Sequence, residues 1–268
     1  MLFKRAIVLF VCVLIVGSTA LLASPKTSVR VGVYNFPPIA MVDQNNKAKG
    51  FLGELLKEFR GLNENLSFQI VHTSPSRRHL DFRNGLFDVI FFENPNWGWK
   101  SEAVNISSAL LRDDEVYIAL KKEGRNQSFF DTPAKKRIVA IAGYHYGFAK
   151  LETDSSKLRQ QFDIELSHSH QRNLELIRAD RPSVAEVAIV SRSFLEAYFV
   201  RFPDRRSEFL VSDALDQSYE LSVITRKEGT FDTSLIDRLM QPLIENGRYQ
   251  ALVHSHGLQL PDRLARRR

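Results

Sequence analysis

Val29-Arg-Val-Gly-Val-Tyr-Asn-Phe-Pro-Pro38, followed after a short insert by Gly50-Phe51, decides how the rest of the chain is read. The apolar Val29, Val31 and Val33 alternate with Arg30 and Gly32, the period of a β-strand. Pro37-Pro38 stops that strand, because proline lacks an N–H and restricts the residue before it. Met41-Val42 and the turn-forming Asp43-Gln44-Asn45-Asn46 read as a hairpin arm and its turn. From Gly50 onward Phe51, Leu52, Leu55, Leu56 and Phe59 fall on one face of a helix.

Ahead of this stretch, residues 1–23 read as an export signal and not as fold. Lys4-Arg5 precede the apolar run Ala6 to Val16, and Gly17-Ser18-Thr19-Ala20 supply small residues for cleavage. The run is short for a membrane span. The chain's one cysteine, Cys12, lies inside it, so the mature chain offers no disulfide, thiolate metal site or cysteine nucleophile. The formal charge of +6 is likewise concentrated at the ends, with Lys4 and Arg5 in the leader and Arg263, Arg266, Arg267 and Arg268 in the tail. The body between them is balanced, which excludes the basic face of a nucleic-acid binder.

Beyond the first helix, strands and helices alternate. Phe87 to Phe92 and Val184 to Val190 are nearly continuous apolar runs, as in strands buried on both faces. A helix is expected over Arg77 to Asn84, another from Tyr144 to Leu151, and a last strong one over Leu235 to Asn246. Strands are expected at 116–121 and 220–225, the first leading away from the opening unit and the second leading back. The alternation predicts an α/β fold of mostly parallel sheets flanked by helices. Residues 24–119 with 218–268 form the first lobe in this reading and 120–217 the second, with a ligand cleft between them at the strand ends.

The order of strand, Pro-Pro, acidic-amide turn, Gly-Phe and helix resembles the bacterial extracellular solute-binding proteins of family 3, the polar-amino-acid type. Gly85-x-x-Asp88-Val-Ile, Asn105-Ile-Ser107, the strand from Tyr117 and Asn246-Gly247-Arg-Tyr249 extend the likeness over residues 29–257. The resemblance implies a type II periplasmic binding protein. It also implies an arginine, twelve residues after Asp88, that holds the ligand's carboxylate. That count reaches Lys100, which keeps the charge but loses the two-pronged donor. The aspartate that would receive an ammonium group corresponds to Ser191, and the usual Gly-Ser/Thr turn corresponds to Gly143-Tyr144. Both halves of the amino-acid clamp are therefore altered.

Other residues are expected to compensate. Tyr34, Phe36 and Tyr144 sit on strand-end loops facing the cleft. Arg77 opens its helix at a position that faces the cleft in relatives and could bind an anionic group, whereas Arg78 would point elsewhere. The loop Glu93 to Lys100 carries both tryptophans, Trp97 and Trp99, around Gly98. They either pack under the loop or offer flat faces to a ring or a cation. His168-x-His170 and His254-x-His256 lack the further ligands of a metal site, and no cofactor is expected.

The function implied is that of a monomeric periplasmic binding protein taking a small polar or aromatic ligand by lobe closure, with an ABC-type importer as partner. Two alternatives remain open: an accessory protein that reports ligand to a membrane sensor, and a dehydratase-like enzyme with Glu93, Lys100 and His145 as acid and base. No nucleophile elbow, phosphate loop or zinc-peptidase motif supports the enzyme.

Overall fold

The computed structural model describes residues 26–266, so the leader, Cys12 and the last two arginines lie outside it. Strand β1 (Thr27–Val33) is followed by the hairpin arms β2 (Met41–Val42) and β3 (Ala48–Lys49), then by α1 (Gly50–Leu62). The opening motif has a mechanical reason. Phe51 and Leu52 donate their N–H groups to the carbonyls of Pro38 and Ile39, so the Pro-Pro turn caps a helix that has no side-chain cap. Gly50 has φ +71, and a Cβ there would lie 2.3 Å from the Pro38 carbonyl oxygen, so only glycine fits. Phe51, Leu52, Leu55, Leu56 and Phe59 are the buried face of α1.

The chain continues through β4 (Leu66–His72), α2 (Arg78–Arg83), β5 (Val89–Glu93), β6 (Val104–Ile106) and β7 (Leu111–Leu120). Beyond β7 come β8 (Ile138–Ile141), α3 (Ser155–Gln161), β9 (Ile164–Ser167), α4 (His170–Arg178), β10 (Val187–Ser191) and α5 (Arg192–Arg201). The long strand β11 (Phe209–Arg226) leads to α6 (Thr233–Glu245), α7 (Arg248–Ser255) and α8 (Asp262–Ala265).

The strand order is β4-β1-β5-β11-β7-β10-β8-β9, with β6 also on β11. β4, β1 and β5 pair in parallel, as do β10, β8 and β9, while β7 and β11 run antiparallel to their neighbours and to each other. These two strands join the sheets of a two-lobed α/β protein. Their pairing is irregular between Val211 and Gln217, opposite Glu115 and Val116, and such bulges bend a ladder where it crosses between units.

One hydrophobic core surrounds β1, β5, α1 and α6. Two further cores cover the faces of the second sheet, with Ala188 and Val190 in one and Val187 and Ile189 in the other. This two-faced burial accounts for the unbroken apolar run of β10.

Two expectations need correction. Tyr144 to Leu151 is a series of turns, and the next helix begins only at Ser155 behind the capping carboxylate of Asp154. The N–H groups of Gly147 and Phe148 are held by the Asp216 carboxylate, and the N–H of Ile141 by the Tyr146 hydroxyl, which leaves no helical ladder to form. The strand expected at 220–225 is the end of the much longer β11, whose polar Ser212, Asp213, Asp216 and Gln217 conceal its period.

Candidate functional site

The turn after β1 supplies Tyr34 and Phe36, α2 supplies Arg78, the loop after β5 supplies Trp97, β7 supplies Glu115, and the turns after β8 supply Tyr144 and His145. Together they line a cavity where the two sheets meet. It encloses about 10 Å³, the room of one water. A groove of about 620 Å³ opens beside it, bordered by Ser76, His79, Glu102, Gly143 and Ser156, and shares Trp97 and His145 with it. The small cavity carries the convergent aromatic and ionisable groups; the groove is the mouth leading to it.

The walls are aromatic. Tyr34 and Phe36 stack at 6.1 Å, and Tyr144 meets them edge-on at 6.3 and 5.9 Å. Trp97 lies parallel to His145 at 5.9 Å and edge-on to Tyr219 at 4.9 Å.

Charge enters through a buried pair. Arg78 is 2% exposed and Glu93 is fully buried, and Arg78 Nε donates to Glu93 Oε2 at 3.0 Å. Glu93 Oε2 also accepts Trp99 Nε1 at 2.6 Å. The remaining Arg78 nitrogens donate to the carbonyls of Pro75 and Gly143 and to His145 Nδ1. Burial and the Arg78 charge press the His145 pKa down to about 3, so the ring is neutral at neutral pH, and Arg78, which can only donate, makes Nδ1 the accepting nitrogen.

Several of these contacts join the two sides directly. Arg78 reaches Gly143 and His145, and the Tyr144 hydroxyl donates to the Asn35 carbonyl at 3.3 Å. Gly143 has φ +78, and a Cβ there would sit 2.4 Å from Ser76 Oγ and 2.8 Å from the Pro75 carbonyl carbon. Gly143→Ala is therefore expected to hold the two sides apart and to lower solute affinity about tenfold, because the added Cβ meets Ser76 and the Pro75 backbone only when the sides close. Titration calorimetry on this variant checks it; unchanged affinity would contradict it.

The anticipated residues divide. Tyr34, Phe36, Trp97 and Tyr144 line the cavity, and Glu93 stands behind it as the partner of Arg78. Arg77 does not reach it: its side chain is 67% exposed and pairs with Asp81. Arg78, expected to point elsewhere, takes the inward place. Trp99 is fully buried against His79 and Phe82. Lys100 is exposed outside the cavity, so Glu93, Lys100 and His145 do not assemble as an acid–base set. Ser191 is buried behind the lining, opposite Glu115 in the β7–β10 ladder, with its Oγ unpartnered. Glu115 itself was not anticipated. Its signal was there in Asp113-Asp114-Glu115, three acids ahead of the apolar end of a strand.

Solved structures supply the comparison. The substrate-binding protein of an ABC uptake transporter from Streptococcus pneumoniae, with bound histidine, superposes with a TM-score of 0.68 at 17% identity, over 88% of this chain and 94% of its own. ArgBP of T. maritima gives 0.65 at 18%, over 85% and 94%. The fold is that of a two-lobed solute-binding protein. An ancestral amino acid-binding protein, a precursor of cyclohexadienyl dehydratase, shares this solute-binding fold with a TM-score of 0.61 at 15% identity, over 85% and 94%. No protein-family model and no curated protein matches the chain. At these identities the likeness establishes the fold alone. Among the described residues no helix is long and apolar enough to cross a membrane.

Proposed function

We propose that this protein is an exported, periplasmic solute-binding protein that captures a small polar or aromatic ligand by closing two lobes and hands it to an ABC-type importer. One observation carries the reading: an aromatic cavity with buried charged groups, at the carboxyl ends of parallel strands, is lined from both sides of the strands that join the sheets. The proposed lobes are 24–119 with 218–268, and 120–217. The separate hydrophobic cores support this division, with β7 and β11 running through both. Leader-like residues 1–23 support export. No chemistry is assigned, because the candidate acid–base residues do not converge.

A thermal-shift screen of amino acids, amines, aromatic acids and small anions tests the reading. A ligand at a hundredfold excess over its Kd stabilises the folded state by about 2.7 kcal/mol, a readily measured rise in Tm. Absence of any stabilising solute across these classes would overturn the proposal.

A further inference from the structure

We propose that the cavity is built for a compact organic cation, an amine or quaternary ammonium, and that the Glu115 carboxylate receives its charge. This deepens the solute-binding reading and rests on it.

The charges lining the cavity point this way. Its one guanidinium, Arg78, is already paired with Glu93, and its donors are directed to Pro75, Gly143 and His145. Little of it is left for a carboxylate ligand. The carboxyl of Glu115 is in the opposite condition. It is 2% exposed and lines the cavity, Oε1 accepts the Tyr219 hydroxyl at 3.1 Å, and Oε2 has no partner. Among the described residues no lysine or arginine pairs with it. A buried carboxylate oxygen without a donor is costly, and a ligand N–H or an adjacent cation removes that cost.

The remaining walls suit the same ligand. Tyr34, Phe36, Tyr144 and Trp97 line the same cavity as the carboxyl, and aromatic faces attract a desolvated cation. Ring separations of 5.9–6.3 Å among the first three make the enclosure a tight one. The enclosure has the room of one water, so a solute enters only as the Arg78–Gly143 and Tyr144–Asn35 contacts part, and it is the charge of the walls that favours a cation over an anion.

A second, independent readout follows from the surroundings of Glu115. It faces Asp113 on its own strand, with Asp114 next to it on the opposite face, Asp216 and Tyr219 on β11, Ser191 on β10, Tyr144 and Tyr146 from the turns after β8, and it shares the cavity with Tyr34, His145 and the Glu93-paired Arg78. Burial, reinforced by the Asp113 and Asp216 carboxyls, pushes it well above the ordinary carboxylate range. A bound cation favours the ionised form, so binding releases a proton to solvent and strengthens as pH rises.

The test is calorimetry on the chain from residue 24 with choline, its neutral carbon isostere 3,3-dimethylbutan-1-ol, putrescine, L-glutamine and acetate. Choline or putrescine is expected to bind at least about tenfold more tightly than the isostere, glutamine or acetate. Glu115→Gln should lose about tenfold or more of that affinity. Because that variant could misfold, proton release is read on the unaltered protein, in buffers of different ionisation enthalpy, and a net release on binding is expected. Glutamine or acetate binding without the amines would overturn the cation assignment and leave the solute-binding reading standing. Equal amine affinity in a folded Glu115→Gln, or no proton released, would overturn the role of Glu115. Failure of every solute class to bind would remove both readings.

Discussion

Arg78→Met is expected to destabilise the protein by about 3–5 kcal/mol, because it leaves the Glu93 carboxylate buried without its counter-ion. Glu93 is fully buried, and its Oε1 already lacks a partner. Only the Trp99 indole N–H would remain as a donor to Oε2. The double variant Arg78→Met with Glu93→Gln removes both charges and keeps an amide oxygen for Trp99. It should recover most of the loss, since replacing a buried pair together is far milder than breaking it. Urea unfolding of the single and double variants reads this directly. A single variant as stable as the parent would mean that the pair does not hold the site.

The two tryptophans should separate binding from stability. Trp99 is fully buried, anchored through Nε1 to Glu93 and packed on His79 at 4.2 Å and Phe82 at 5.3 Å. Trp99→Ala is therefore expected to cost about 3–5 kcal/mol of stability. Trp97 lies on the cavity and its mouth, stacked on His145 from the other side. Trp97→Ala should weaken solute binding about tenfold, a stacked ring contributing up to about 1.5 kcal/mol beyond its buried area, while lowering Tm less than Trp99→Ala does. Fluorescence of Trp99→Phe should still change on adding solute, and that of Trp97→Phe should not. The reverse pattern would exchange the two assignments.

Much of this architecture is written in local chemistry. The strand, the Pro-Pro turn and Gly50-Phe51 are legible because one local structure needs all three: the turn caps α1 and Gly50 clears the Pro38 carbonyl. The aromatic lining is legible because Tyr34, Phe36 and Tyr144 follow strand ends. The choice between Arg77 and Arg78 is not, since successive helical residues point about 100° apart and the phase depends on where α2 begins. That start lies at Arg78, with Arg77 at the cap position. Trp97 and Trp99 are likewise sorted by the left-handed turn at Gly98, φ +90, which adjacent residue types do not announce. Glu115 escapes because buried acids break the apolar pattern used to find strands, and the acids of β7 belong to a strand paired across to β11. The turns at 144–151 escape because Asp216, far along the chain, holds their N–H groups.

Capture of a solute by closure of two lobes changes an intramolecular distance that can be measured. The chain from residue 24 holds no cysteine, so Lys100→Cys and Ser156→Cys place two unique labels at exposed positions beside the mouth groove. Pulsed electron–electron resonance on spin labels at these sites reads the separation with and without a stabilising solute. The expected distribution includes long separations in the free protein and collapses to one short separation when solute binds. A single unchanged distance in the presence of saturating, calorimetrically verified solute would contradict it.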